Sequence, residues 1–268
     1  LEFRRVLFRS PPACSAKANE KGQMMNQRTL GAIVLLALAL VAPFIAYPVF
    51  LMTALCFALF ACAFNLLLGY DGLMSFGHAM FFGMAAYFFG HTVKAWGWPP
   101  ELGLLAGVLG AALIGLVTGA LAIRRQGIYF AMITLAFSQM VYFVCVQVPF
   151  THGEDGLQGI PRKPLLGLIP TDSDYVLYYV VLAIFLFGYG AIYRIIHSPF
   201  GQVMKAIRDN EQRALSLGYE ADRYKLLAFV LSAALAGLAG ATKAMVLQFA
   251  TLTDVSAAMS GEIGRAHV

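Results

Sequence analysis

The sequence is short of charge: Asp, Glu, Lys and Arg supply 12% of its 268 residues, while hydrophobic side chains supply 60%. At a mean hydropathy of +0.73 there is too little polar surface to wrap a water-soluble core of this size, which excludes an ordinary soluble domain. Cysteine is equally scarce. Cys14, Cys56, Cys62 and Cys145 show no CxxC spacing, so neither a disulfide framework nor a thiolate metal site is expected. HExxH, GxSxG, GxxxxGK[ST] and histidine pairs at ligand spacing are absent, which removes the usual signals for zinc hydrolysis, serine nucleophiles and nucleotide binding by this chain. Midmembrane ionisable clusters, which an intramembrane active site would need, are missing as well.

What is present is a series of apolar runs, and the expected architecture is all-α: a polytopic membrane protein of about seven spans. The runs cover 30–46, 49–68, 79–92, 102–123, 127–150, 175–193 and 226–249. The net charge of +5 does not point to nucleic acid, because the basic residues sit at the ends of these runs. Arg28, Arg124, Arg125 and the basic residues of 198–225 all fall on one side if the spans alternate, with the acidic loop 152–174 on the other. The positive-inside bias then puts the N-terminus in the cytoplasm. Trp96 and Trp98 close the third run at a turn suited to the external interface. Lys243, about 18 residues past Lys225 and so roughly 27 Å along a helix, is expected to reach the far interface by snorkelling.

Two runs carry a close-packing signature. Gly103, Gly107, Ala111, Gly115 and Gly119 recur every fourth residue, and Ala233, Ala236, Gly237 and Gly240 form a second small-residue face; such ridges let helices meet backbone to backbone in lipid. Between the second and third runs lies GYDGLMSFGH, residues 69–78, too glycine-rich for a helix interior. A backbone break near membrane depth is tolerated only where protein or a water-lined cavity satisfies the freed amides, so this stretch is a candidate pathway element. His78 within it is open to two readings, a structural hydrogen bonder or a pathway residue. Thr134, Ser138, Gln139 and Gln147 call for partners inside the bundle, whether other helices or a solute.

The one long charged island is SPFGQVMKAIRDNEQRALSLGYEADRYK, residues 198–225. Ser198 suits a helix cap, Pro199 the first helical position and Gly218 the left-handed residue after the end, framing one amphipathic helix of about five turns. Val203, Ile207, Ala214 and Leu217 fall on one stripe. Asp209 and Arg213 stand at i,i+4 with the acid first, a favourable pair.

Four segments in colinear order, NLLLGYDGLMSFGHAMFFGMAAY, RQGIYFAMITLAFSQ, THGEDGLQGIP, and the charged island followed by KLLAFVLSAALAGLAGA, resemble LivM-type inner-membrane permeases of branched-chain amino-acid ABC importers. The resemblance spans about 25–260, the expected permease domain, and implies a truncated right-hand end. It implies a homologous second permease subunit, two ABC ATPase subunits that bind ATP and Mg while this chain holds no cofactor, a periplasmic or extracellular substrate-binding protein, a bilayer of a bacterial or archaeal plasma membrane, and no nucleic-acid partner. It implies an ATPase contact through Arg208, Asp209, Glu211, Ala214 and Gly218, and a translocation path past Asn65, Gly69, Gly72, Ser75, Gly77, His78 and Gln139. The contrasting expectation is an ATP-independent carrier or channel for a small polar solute, a class that shows inverted repeats and interrupted helices in both halves; one interrupted segment is clear here.

The two ends read as foreign. EIGRAHV, 262–268, can be encoded by a short DNA whose reverse complement, read out of frame, encodes RRVLFRS, 4–10, as a flanking adaptor would give. Residues 1–24 are therefore expected to be adaptor or upstream translation and 261–268 an adaptor-derived tail, both outside the fold.

Overall fold

A computed structural model describes residues 37–44, 46–125, 127–148, 151, 153–165, 173–256 and 260. The expectations for 1–24 and 261–268 lie outside these residues. The chain divides into two units, 1–47 and 48–268. In the first, residues 37–44 are helical and expose Leu38, Leu40, Val41 and Phe44.

The second unit is built of helices: α1 (Pro48–Asn65), continued by a π-helical turn (Leu66–Asp71), α2 (His78–Lys94), α3 (Pro100–Ala122), α4 (Ile128–Gln147), α5 (Asp174–Ile196), α6 (Pro199–Asp209), α7 (Glu211–Ser216) and α8 (Ala221–Leu247). The chain is a polytopic membrane protein. Five helices among the described residues are long and apolar enough to span a bilayer: α1 with its π turn, α3, α4, α5 and α8. The expected run 30–46 lies largely outside the described residues, and α2 has only 17 residues, so among the described residues five of the expected runs meet this length and apolarity. α2 is nevertheless buried along nearly its whole length, from His78 to Val93.

Small residues decide how the centre packs. The ridge Gly103, Gly107, Ala111, Gly115 and Gly119 is buried along α3, as are Ala233, Ala236, Gly237 and Gly240 on α8. Gly107 lies against Ala85 of α2 and Ala241 of α8, and Gly237 against Ala111 and Ala85, so α2, α3 and α8 meet at one line of near backbone contact. At Gly240 any Cβ would overlap the backbone carbonyl of Phe82. The opposite face of α3, with Leu105, Leu109, Leu113 and Leu121, is exposed, as a lipid-facing surface is.

The end of the bundle opposite the charged island is closed by a small cap that the sequence reading did not foresee. Strand β1 (Leu157–Gln158) pairs antiparallel with β2 (Phe249–Ala250). Arg162 pairs with Asp174 at 2.9 Å, and Lys163 donates to the Gly97 carbonyl at 2.5 Å. Lys243 does not snorkel. It is buried, paired with Asp254 in the 3-10 turn Leu252–Asp254, and lies over the rings of Phe57 and Phe82 at 5.4 and 5.7 Å. The chain doubles back after α8, and that return delivers the counter-charge.

Gln139 and Gln147 are exposed on α4 rather than turned into the bundle, whereas Thr134 and Ser138 point inward. Of the inward pair, Thr134 finds partners in the Ala131 carbonyl and Phe76 N–H, while the buried Ser138 hydroxyl has none. Gly240→Ala is expected to destabilise the detergent-solubilised protein by about 3 kcal/mol, the upper end of overpacking costs, whereas Gly190→Ala, which meets open space, leaves it unchanged. Equal thermal aggregation midpoints for the two variants would contradict this packing scheme.

Candidate functional site

The charged island folds as a compact unit against the broken helix. Ser198 caps α6, its hydroxyl accepting from Gly201 N–H at 3.4 Å and donating to the Ile195 carbonyl at 2.6 Å. Gly201, Met204 and Ile207 form the buried face of α6. Gly218 takes φ +88°, the left-handed value expected just beyond the end.

One long helix, however, is not what forms. The helix breaks at Asn210, whose backbone is extended at φ −159°, ψ 98°, and α7 starts afresh. The reason is local. The Asn210 side-chain oxygen accepts from Arg213 N–H at 3.0 Å, so this residue caps α7 instead of continuing α6, the competition that makes Asn a better cap than helix interior. The Asp209–Arg213 pair is lost with the continuity. Asp209, largely exposed, stands 3.7 Å from Arg208 Nε instead. Leu217 is exposed, while Ile207, Ala214 and Ala221 form a small core with Val203 and Tyr224 that fastens α6, α7 and α8 together. Ala214 therefore serves packing within this chain.

The glycine-rich segment is also more ordered than its composition suggested. Residues 66–71 remain helical with the wider π spacing, and the chain leaves the helix at Gly72, φ +75°. π turns commonly mark functional positions, because they free carbonyls and widen the helix. Three residues of this turn, and Gly72 just after it, face the charged unit. Arg208 Nη1 donates to the Gly69 carbonyl. Lys205 Nζ lies 5.0 Å from the centre of the Tyr70 ring. Asp71 is buried within electrostatic reach of Lys225 and Glu211. A Cβ on Gly72 would stand 2.8 Å from Arg208 Cγ. Behind them, Lys225 Nζ binds Glu211 Oε1 at 2.7 Å, with the lysine side chain 5% exposed.

The remaining pathway candidates separate. Ser75 is buried and accepts from Gly77 N–H at 3.3 Å, and Thr134 of α4 accepts from Phe76 N–H at 3.3 Å, fastening the segment after the break. His78 is fully buried, its Nε2 2.8 Å from Ser232 Oγ. Ser232 donates to the Ala63 carbonyl at 2.5 Å, so Nε2 carries the hydrogen. The rings of Phe64, Phe81 and Phe229 stand edge-on to the imidazole at 5.4 to 5.9 Å. In this arrangement His78 acts as a pin joining α1, α2 and α8. Asn65 is exposed at the end of α1, next to Gly69, and Gln139 stands apart on the outward face of α4. The structure thus unites Gly69 and Gly72 with Arg208, and Glu211 with Lys225.

Lys205, Tyr70, Asp71 and Lys225 were missed as site residues. One signal was available: Asp71 is the only carboxylate between residues 21 and 100. Beside the turn from α7 to α8 opens a shallow depression of about 360 Å³, lined by Gly218, Tyr219, Glu220, Arg223, Tyr224 and Leu227.

Comparisons with known proteins bear on this arrangement. The family described as branched-chain amino acid transport system / permease component matches residues 46–262. The chain is 30% identical over 204 residues to the high-affinity branched-chain amino acid transport system permease protein LivM of Escherichia coli K12, covering 66% of this chain and 47% of that one, and equally to its Salmonella typhimurium counterpart. A probable branched-chain amino acid transport permease protein LivM of Methanocaldococcus jannaschii is 25% identical over 142 residues, covering 51% and 41%. The chain spans about half the length of the curated relatives it matches. No solved structure matches. With the family match running through every described element from α1 to the cap, the chain belongs to the branched-chain amino acid transport system permease components.

Proposed function

We propose that this chain is the membrane-embedded permease subunit of an ATP-driven importer for branched-chain amino acids, or for related small amino acids or amides. It pairs with a homologous second permease. Two ABC ATPases, which hold the ATP and Mg, dock on its cytoplasmic face, and a periplasmic or extracellular binding protein delivers substrate. The membrane is the bacterial or archaeal plasma membrane, with the N-terminus in the cytoplasm.

The observation that carries the reading is the junction of α6 with the π turn. A transport subunit without its own nucleotide site has to receive motion through a surface element and pass it to the membrane path. α6 and α7 offer that element: Asp209 at the end of α6 and Leu217 just past α7 are exposed, and the depression beside Gly218 gives a partner side chain a place to enter. Arg208 links the element to Gly69 directly. A push on α6 therefore pulls on a carbonyl in the interrupted helix, where the backbone has least internal hydrogen bonding to resist. The break at Asn210 makes the coupling element two short rods with a joint instead of one rigid lever. On the path side, Ser75 and Gly77 move with the segment and His78 anchors its far end, while Asn65 and Gln139, both exposed, lie open to the second permease or to solute.

The assignment is tested by isolating the membrane complex and assaying it in proteoliposomes. Co-isolation of an ATPase and import that requires ATP support it, whereas uptake without ATP would favour a carrier or channel. Arg208→Ala combined with Glu211→Ala is expected to lower import by roughly 5- to 150-fold, the range of ordinary coupling energies, with the subunit still inserted and ATP hydrolysis retained. Unchanged import would contradict a coupling role for the junction. Orientation has its own measurement. In intact cells Lys205 is expected to be shielded from membrane-impermeant amine labels and to react only after permeabilisation; labelling from outside would invert the topology.

A further inference from the structure

Asp71 is the anomaly of the junction. It is 3% exposed and neither carboxyl oxygen has a hydrogen-bond partner, although buried polar groups are nearly always paired. The charges of Lys225 and Glu211 act on it, and these two are already bound to each other at 2.7 Å. One buried ammonium thus acts on two carboxyls and is bound to only one of them. The two acceptors are on different bodies. Asp71 ends the π turn of the membrane path, whereas Glu211 is the first residue of α7, directly after the joint at Asn210. Arg208 does not compete for Asp71, being engaged with the Gly69 carbonyl and Asp209.

We propose that Lys225 is a two-position ion: bound to Glu211 in this structure, and transferred to Asp71 when α7 swings about Asn210. The idea rests on the importer reading above and adds the exchange that would make the motion all-or-none. Losing Glu211 costs the lysine little if Asp71 replaces it, because Glu211 keeps access to water, its side chain being 21% exposed. A partner that pulls on α7 therefore changes which carboxyl holds the lysine. The recipient carboxyl belongs to the interrupted helix, so the exchange alters the charge balance at the inner end of the path. A fixed structural pair would leave Asp71 with no role, and an isosteric amide would replace it without effect.

The two carboxyls are then expected to give opposite phenotypes in the complete importer in proteoliposomes. Asp71→Asn leaves Lys225 one acceptor and favours the Glu211-bound state, so substrate-stimulated ATP hydrolysis and import fall together, on the order of tenfold. Glu211→Gln favours the Asp71-bound state, so ATP hydrolysis without substrate rises on the order of tenfold while import per ATP falls. Asp71→Glu, which keeps an acceptor, regains import over Asp71→Asn. Co-isolated ATPase is measured for every variant, and where Glu211→Gln does not assemble, Glu211→Asp is expected to shift hydrolysis in the same direction. Full activity in Asp71→Asn, or hydrolysis moving the same way in the Asp71 and Glu211 variants, overturns the exchange while leaving the importer reading intact. A wild-type complex without ATP-dependent import would overturn the importer reading and the exchange with it.

Discussion

A helix interrupted at the end of an apolar span leaves peptide groups without partners in the helix, and the rest of this structure follows from how they are satisfied. Lipid offers no hydrogen bonds, so the partners have to come from protein. Here the Gly69 carbonyl is met by Arg208, a side chain from outside the apolar runs, and Phe76 N–H is met by Thr134 of α4. One end of the interruption is therefore tied to the charged unit and the other to the bundle. The same two contacts that make the break tolerable also make it responsive, since neither end can shift without displacing a neighbour.

Responsiveness in one place requires rigidity in another. The line of small residues between α2, α3 and α8 supplies it, because helices in near backbone contact have few rotamers to rearrange and no soft side chains between them. His78 sits where the interruption gives way to this rigid body. Its bond to Ser232, and the bond of Ser232 to Ala63, tie the start of α2 to α8 and to the last turns of α1. Under the proposed coupling, movement reaching the π turn would therefore be confined to the few residues between Gly69 and His78.

Much of this was legible in the chain. Ser198, Pro199 and Gly218 stand at the positions their backbone preferences indicate, and the fourfold spacing of small residues on α3 identified the packed face. These signals are local, arising from a residue's own dihedrals or from one helix turn. The failures share a different cause. Asn210 is compatible with a helix interior and with a cap, and only the contacts of α6 and α7 with the body decide between them. Asp71 comes under the charge of Lys225, and Lys243 pairs with Asp254, through folds of the chain that no periodicity encodes. The β1–β2 ladder has two residues in each strand, too few to alternate visibly. Gln139 lies on the outward face of α4, which its polarity could not indicate, because polarity in an apolar run signals an unmet need without saying on which side of the helix it is met.

The two lysines of α8 give the last step. Lys225 and Lys243 are separated by about 18 residues, roughly 27 Å of helix, and each is buried against a carboxylate from a segment outside α8, Glu211 at one end and Asp254 at the other. Burying a charge pair gains little over an apolar contact, whereas removing one partner costs several kcal/mol. Such pairs therefore act as locks more than as sources of stability. α8 carries one lock at the charged junction and one at the opposite cap, and between them its small residues hold α2 and α3. A rod fixed this way transmits a change at one end only by breaking or exchanging a pair. Asp71, buried and unpaired, feels the charge of Lys225, whereas Lys243 lies over the rings of Phe57 and Phe82, so the exchange proposed above has a second acceptor only at the end of α8 that packs on α7.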